Sequence, residues 1–155
     1  MTTTQPSSAS ADLVLSFTVD KSPAEVYDAV NRVADWWIGE VEGSFAPEGA
    51  VFTYAYPPYH RTVQRVLAQV PGLRVEWEVT ESSINFVEDK EEWKGTVIRF
   101  EMLQAAQDKT ELRFTHVGLT PKIACYQNCS AGWEFYILES LRSLIETGKG
   151  VAPPF

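Results

Sequence analysis

The chain has 155 residues and a formal charge of −8. That balance opposes unspecific attraction to nucleic acid or an anionic membrane, both of which need basic surface. Hydrophobic residues make up 45% and aromatic residues 12%, which excludes wholesale disorder, and no apolar run reaches the roughly eighteen residues of a membrane span.

Residues 1–11 are uncharged and rich in Thr and Ser, without the apolar stretch of a signal peptide. They read as a disordered lead to a single domain over 12–150, with a tail at 151–155, and a cytoplasmic location is expected. Leu13, Leu15, Phe17 and Val19 alternate with polar neighbours and predict a half-buried strand. Ser22-Pro23-Ala24-Glu25 is a capping box with a helix-starting proline. The helix it opens should reach about Asn31, and a second short one, around Arg32 to Trp37, should bring Trp36 and Trp37 to the core.

A short strand is expected at 39–43, a turn at Pro47-Glu48-Gly49, and a strand at 51–56 with Phe52 and Tyr54 on one face. Pro57-Pro58 ends it. In 60–70 the spacing of Val63, Val66, Leu67 and Val70 suits a helix as well as a strand. The β-branched content and the Pro71-Gly72 turn favour a strand. Leu73, Val75, Trp77 and Val79 alternate clearly. Residues 81–94 are highly charged and read as a solvated connection pinned by Ile84, Phe86 and Trp93. Thr96, Ile98, Phe100 and Met102 mark the next strand. Gln107-Asp108-Lys109 turns the chain, and Leu112 and Phe114 face inward on the last strand.

Residues 120–150 predict one long helix of about 40 Å at ~1.5 Å per residue. Thr120 is its expected N-cap, Pro121 its first residue, and Gly148 its left-handed C-terminal cap. Tyr126, Cys129, Trp133, Ile137, Ser140, Leu141 and Leu144 form its inner stripe. Gly132, costing roughly 1 kcal/mol relative to alanine, should mark a close approach or a bend that shapes a cavity mouth. Phe135 and Leu138 lie off the stripe and pack under the tail or against a second subunit.

No Ser–His–Asp order, nucleophile elbow, P-loop or GxGxxG is present, so no catalytic residue is assigned. His116 is expected to hold the junction between the last strand and the helix by hydrogen bonding, and His60 to lie at a loop edge. Cys125 and Cys129, four apart on a helix, point along it rather than toward each other. They are expected as small core residues. Their spacing with His116 matches no zinc site, and neither a metal nor a cofactor is expected.

One strand, two helices, a run of about six strands and a final helix make an α+β pattern with an antiparallel sheet. Several phrases carry a likeness: SPAEVYDAV at 22–30, DWW at 35–37, EEWKGTVIRFEM at 91–102 and THVGL at 115–119. C-Y-x-x-C-S-x-x-W at 125–133 and SLRSLIETGKG at 140–150 complete it. Together they resemble the START-type, helix-grip (SRPBCC) superfamily and, within it, the activator of heat-shock-protein-90 ATPase homologue-like branch, over residues 12–150.

The resemblance implies a curved antiparallel sheet of about six to seven strands wrapped on the long C-terminal helix, with an apolar cavity between them. Tyr54, Trp77, Phe100, Phe114, Trp133 and Ile137, with Trp37 and Phe86, are the expected ligand-binding lining. The function expected first is binding of a small apolar or amphipathic molecule. An enzyme of cyclase or dehydratase type is second, with Tyr54, His116 and Tyr136 as its polar groups. A chaperone-interaction module is third. Eukaryotic co-chaperones of that branch carry a separate N-terminal domain, and here about eleven residues precede the first strand, so a chaperone contact is not the expected partnership. A homodimer is compatible with the pattern.

Overall fold

The computed structural model describes residues 12–85, 88 and 90–153. The expected disordered lead at 1–11 and the expected cavity residue Phe86 lie outside the described residues. The chain runs β1 (Leu13–Val19), α1 (Pro23–Val30), α2 (Val33–Trp36), β2 (Glu40–Gly43), β3 (Val51–Tyr56) and β4 (His60–Val70). It continues with β5 (Arg74–Ile84), β6 (Val97–Ala106), β7 (Lys109–Val117) and a C-terminal helical rod. The strands form one seven-stranded curved antiparallel sheet in the order β1-β7-β6-β5-β4-β3-β2. Strands β2 to β7 follow one another as neighbours, and β1 pairs with the last of them.

Local chemistry sets most boundaries. The Ser22 hydroxyl accepts from the Glu25 N–H (3.2 Å) and the Glu25 carboxylate accepts from the Ser22 N–H (3.1 Å), closing the capping box at the start of α1. Strand β4 resolves the ambiguity of 60–70 in favour of a strand. Of its two register shifts with β5, the one between Val66 and Ala68 leaves Leu67 as the extra residue on β4, and this bulge broke the alternation that marks a strand. Strand β5 extends to Ile84, four residues into the stretch expected as a solvated connection. Its inward positions there are Ser82 and Ile84, so a polar residue hid the alternation. Leu73, by contrast, is 61% exposed and precedes the strand.

The rod begins at Tyr126, not at Thr120. Residues 121–125 form turns, and the cap comes from far away in sequence. The Glu92 carboxylate accepts from the Ala124 N–H (2.8 Å) and the Cys125 N–H (3.1 Å), placing a negative charge on the free amides of the first turn. Glu92→Ala is therefore expected to cost about 1 kcal/mol, read from urea unfolding. An unchanged midpoint would contradict the capping role.

The rod itself is composite: α3 (Tyr126–Trp133), π-helical turns over Glu134–Leu141, and α4 (Arg142–Thr147), ending on Gly148 with φ 87°. Its buried side chains fall in two rows of four-residue spacing. One is Cys129, Trp133, Ile137, Leu141 and Ile145; the other is Tyr136, Ser140 and Leu144. At about 3.6 residues per turn an α-helix would carry such rows steadily around its surface. The wider i→i+5 turns bring them back, and both rows face the sheet.

Candidate ligand cavity

The two consecutive tryptophans after α1 divide the interior. Trp36 is fully buried, with its indole N–H on the Val30 carbonyl (3.0 Å). Trp37 lies beyond it, stacked face to face on Tyr54 with ring centroids 3.9 Å apart and parallel to Trp77 at 6.1 Å. On the other side of Trp37 a cavity of about 790 Å³ opens between the end of the β3–β4 hairpin, the β5–β6 connection and the first half of the rod. Tyr54, Tyr56, Tyr59 and His60 wall it from the hairpin, and Trp93 walls it from the connection. Asn128, Cys129, Gly132, Trp133, Phe135 and Tyr136 contribute from the rod.

Of the expected lining, Trp37, Tyr54 and Trp133 reach this cavity. Trp77, Phe100, Phe114 and Ile137 do not stand on its wall; each is fully buried in the layer behind. Trp77 lies edge-on to Phe52 and Phe100, Phe100 edge-on to Phe114, and Phe114 tilts against Trp133 at 4.7 Å. Inward alternation identifies core positions but not which end of the sheet stays open.

His60 stands at the loop edge, as the first residue of β4 after the turn at 57–59, and its side chain faces the cavity. Its ring sits edge-on to Trp93 (4.7 Å) and Tyr54 (5.5 Å), between the main cavity and a smaller cleft of about 310 Å³ that also meets Glu40, Glu42 and Arg61. Burial lowers its pKa to about 4. Trp93, expected as a pin for the connection, is also a cavity wall, stacked on Trp133 at 5.7 Å. Its indole N–H rests on the Cys125 sulfur (3.4 Å). Phe135 turns toward the cavity rather than under the tail.

Behind the wall runs a closed polar relay. Trp133 Nε1 donates to His116 Nδ1 (3.0 Å), which leaves the imidazole proton on Nε2 to donate to Thr96 Oγ1 (2.8 Å). Thr96 in turn donates to the Trp93 carbonyl (2.6 Å). Gly118, at φ 100°, makes room for it, since a Cβ there would lie 2.7 Å from the Thr96 methyl. His116 thus ties β7, the start of β6 and the rod together, as its junction position suggested. Burial first, and His60 second, hold its pKa down to about 3. Both its nitrogens are engaged, so neither is open to a metal or substrate.

The tyrosine hydroxyls are likewise engaged. Tyr54 and Tyr136 each donate toward the Ile38 carbonyl (3.0 and 3.1 Å), and their oxygens lie 3.1 Å apart. Burial raises both phenol pKa values. Cys125 and Cys129 are free thiols. The hydrogen bond between them lowers the Cys125 pKa and raises that of Cys129, with burial pushing both upward.

Gly132 does not permit a close approach. A Cβ there would meet nothing within 4 Å, and the residue borders the cavity. Gly132→Ala should then gain about 0.5–1 kcal/mol from reduced backbone entropy in the unfolded chain. A lower melting temperature would contradict this placement.

Neither a protein-family model nor a curated protein matches the sequence. Solved structures do. The solution structure of the Aha1 dimer from Colwellia psychrerythraea aligns with TM-score 0.71 and 23% identity, over 90% of this chain and 99% of that one. CalU16 from Micromonospora echinospora aligns at 0.61 and 18%, over 86% and 74%. DynU16, from the dynemicin biosynthetic locus, aligns at 0.65 and 18% over 94% of this chain, which spans about half (49%) of that protein. At such identities the likeness establishes the fold: a helix-grip architecture, the sheet closing on a long C-terminal helix. Among the described residues, no helix is long and apolar enough to cross a membrane.

Proposed function

We propose that the protein binds a small, flat, apolar or amphipathic molecule in the cavity between the sheet and the C-terminal helix. The observation that carries this reading is the wall itself. Three tryptophans, Trp37, Trp93 and Trp133, converge on a space of about 790 Å³, within the range of roughly 300–1,000 Å³ usual for ligand sites. The nearby polar handles of Tyr54 and Tyr136 are turned onto the Ile38 carbonyl, so the rings present mainly their faces and edges. Aromatic side chains of this kind favour stacking with a planar guest.

Catalysis of the cyclase or dehydratase type has less support. Its three polar candidates, Tyr54, His116 and Tyr136, are engaged within the protein. His60 reaches the cavity, but with a pKa of about 4 it is a weak base at neutral pH, where efficient general bases have values near the working pH. A homodimer is compatible with the dimeric solution structure aligned above. The two free thiols suit a reducing compartment such as the cytoplasm.

Thermal-shift measurements against a panel of planar hydrophobic compounds, fatty acids and polar metabolites test the binding reading. Selective stabilisation by planar hydrophobic compounds is expected. A panel with no stabilising member, or stabilisation by polar metabolites alone, would overturn it.

A further inference from the structure

The inward face of β4 carries a polar row where neighbouring strands carry aromatic and aliphatic groups. His60 stands at the cavity, and Thr62 and Gln64 follow at alternate positions, both fully buried. Alternate residues on a strand share a face and lie about 6.6–6.8 Å apart, so the row leads from the cavity into the core. Thr62 pairs with Tyr54 of β3, and Gln64 pairs with Phe52 of β3 and Val79 of β5.

Gln64 is the anomaly. Neither its amide nitrogen nor its amide oxygen has a hydrogen-bond partner among the described residues, and neither does the buried indole N–H of Trp77. Trp77 lies on the same face of β5 as Val79, with its ring edge-on to Phe52 at 4.9 Å. The three unpartnered polar atoms therefore belong to two side chains that both adjoin Phe52. Buried polar groups are almost always paired, and an apolar side chain such as methionine would fill the position without that penalty.

Trp37 adjoins both this place and the cavity. It lines the cavity with one side and runs parallel to Trp77 at 6.1 Å on the other. The indole N–H of Trp36 is tied to Val30 and that of Trp133 to His116. Trp37 has no such tie among the described residues and is held by ring contacts alone.

We propose that the binding cavity continues behind the Trp37 ring into a polar recess at Gln64 and the Trp77 N–H, which takes a neutral carboxamide or lactam end of the ligand. This rests on the binding function proposed above and names the polar end of its ligand. The ligand carbonyl accepts from Gln64 Nε2–H and Trp77 Nε1–H, and the ligand N–H donates to Gln64 Oε1. One N–H from each side chain and the Gln64 carbonyl match the two lone pairs and the N–H of an amide. A charged carboxylate would be buried without a cation and is disfavoured.

Naphthalene-2-carboxamide and 2-isopropylnaphthalene have nearly the same shape, and titration of each by tryptophan fluorescence against the wild type and Gln64→Met tests the recess. The preference for the carboxamide over the hydrocarbon is expected to fall at least tenfold in Gln64→Met, while the melting temperature of the variant rises. An unchanged preference with both compounds bound would overturn the recess and leave the cavity reading standing. If neither compound binds the wild type, the cavity reading fails and the recess with it. A Gln64→Met chain that melts lower or does not fold would mean that the carboxamide is partnered within the protein, which also overturns the proposal.

Discussion

Trp133→Phe is expected to destabilise the protein by about 2–4 kcal/mol. Trp133 is 2% exposed and touches Trp37, Trp93 and Phe114, so the smaller ring leaves unfilled space in a close-packed region. The second loss is chemical. Without the indole N–H, His116 Nδ1 becomes a buried acceptor with nothing to accept, a loss of about 1–3 kcal/mol by itself. Urea unfolding measures the sum. A variant within about 0.5 kcal/mol of the wild type, the spread of neutral surface changes, would mean that the relay through His116 contributes nothing. The cavity should suffer as well, since Trp133 is one of its three tryptophan walls.

Acidification should produce a loss of similar size without any mutation. His60 and His116 have folded-state pKa values of about 4 and about 3, while an unfolded histidine titrates near 6.5. Both folded values are depressed, so the neutral folded forms are fully favoured above about pH 6.5. Below that the unfolded chain takes up two protons that the folded chain refuses, and stability falls with pH. Each histidine approaches a slope of about 1.4 kcal/mol per pH unit below its unfolded pKa, so the pair should cost about 3 kcal/mol between pH 6.5 and pH 5. The lowered carboxyls of Asp20 and Glu25 add their loss only further down. Urea midpoints at pH 7.5, 6.5 and 5 should be flat over the first interval and fall over the second. His60→Phe should roughly halve that fall. Equal stability at pH 6.5 and 5 would show that the histidines are not held neutral.

Where the determinants are local, the sequence was a reliable guide. The capping box at Ser22, the αL cap at Gly148 and the alternation through Ile98, Phe100 and Met102 involve neighbours a few residues apart, and each stands where those residues implied. The start of the rod was misread because its cap, Glu92, lies over thirty residues upstream of the amides it binds. Phe135 lay off the expected inner stripe, yet it lines the cavity from the π-helical part of the rod. The cavity wall was the least legible part. Trp77, Phe100 and Phe114 have the same inward alternation as Tyr54, yet only Tyr54 lies at the open end of the sheet. His60 looked peripheral after two prolines, although the hairpin end that carries it folds over the cavity. Gln64 went unmarked because a buried polar residue leaves no trace in an alternation read from apolar side chains.

The space beside Gly132 is the proposed binding site. Fluorescence titration with 1-anilinonaphthalene-8-sulfonate, an apolar aromatic probe, measures this directly in the wild type, Gly132→Ala and Gly132→Phe. A Cβ at this position meets nothing within 4 Å, so the phenylalanine ring can enter the cavity without displacing the core. The wild type and Gly132→Ala should bind one equivalent with similar affinity, and Gly132→Phe should bind at least tenfold more weakly while keeping its far-UV circular dichroism. Equal binding by a folded Gly132→Phe, or no saturable binding by the wild type, would contradict the assignment of this cavity as the ligand site.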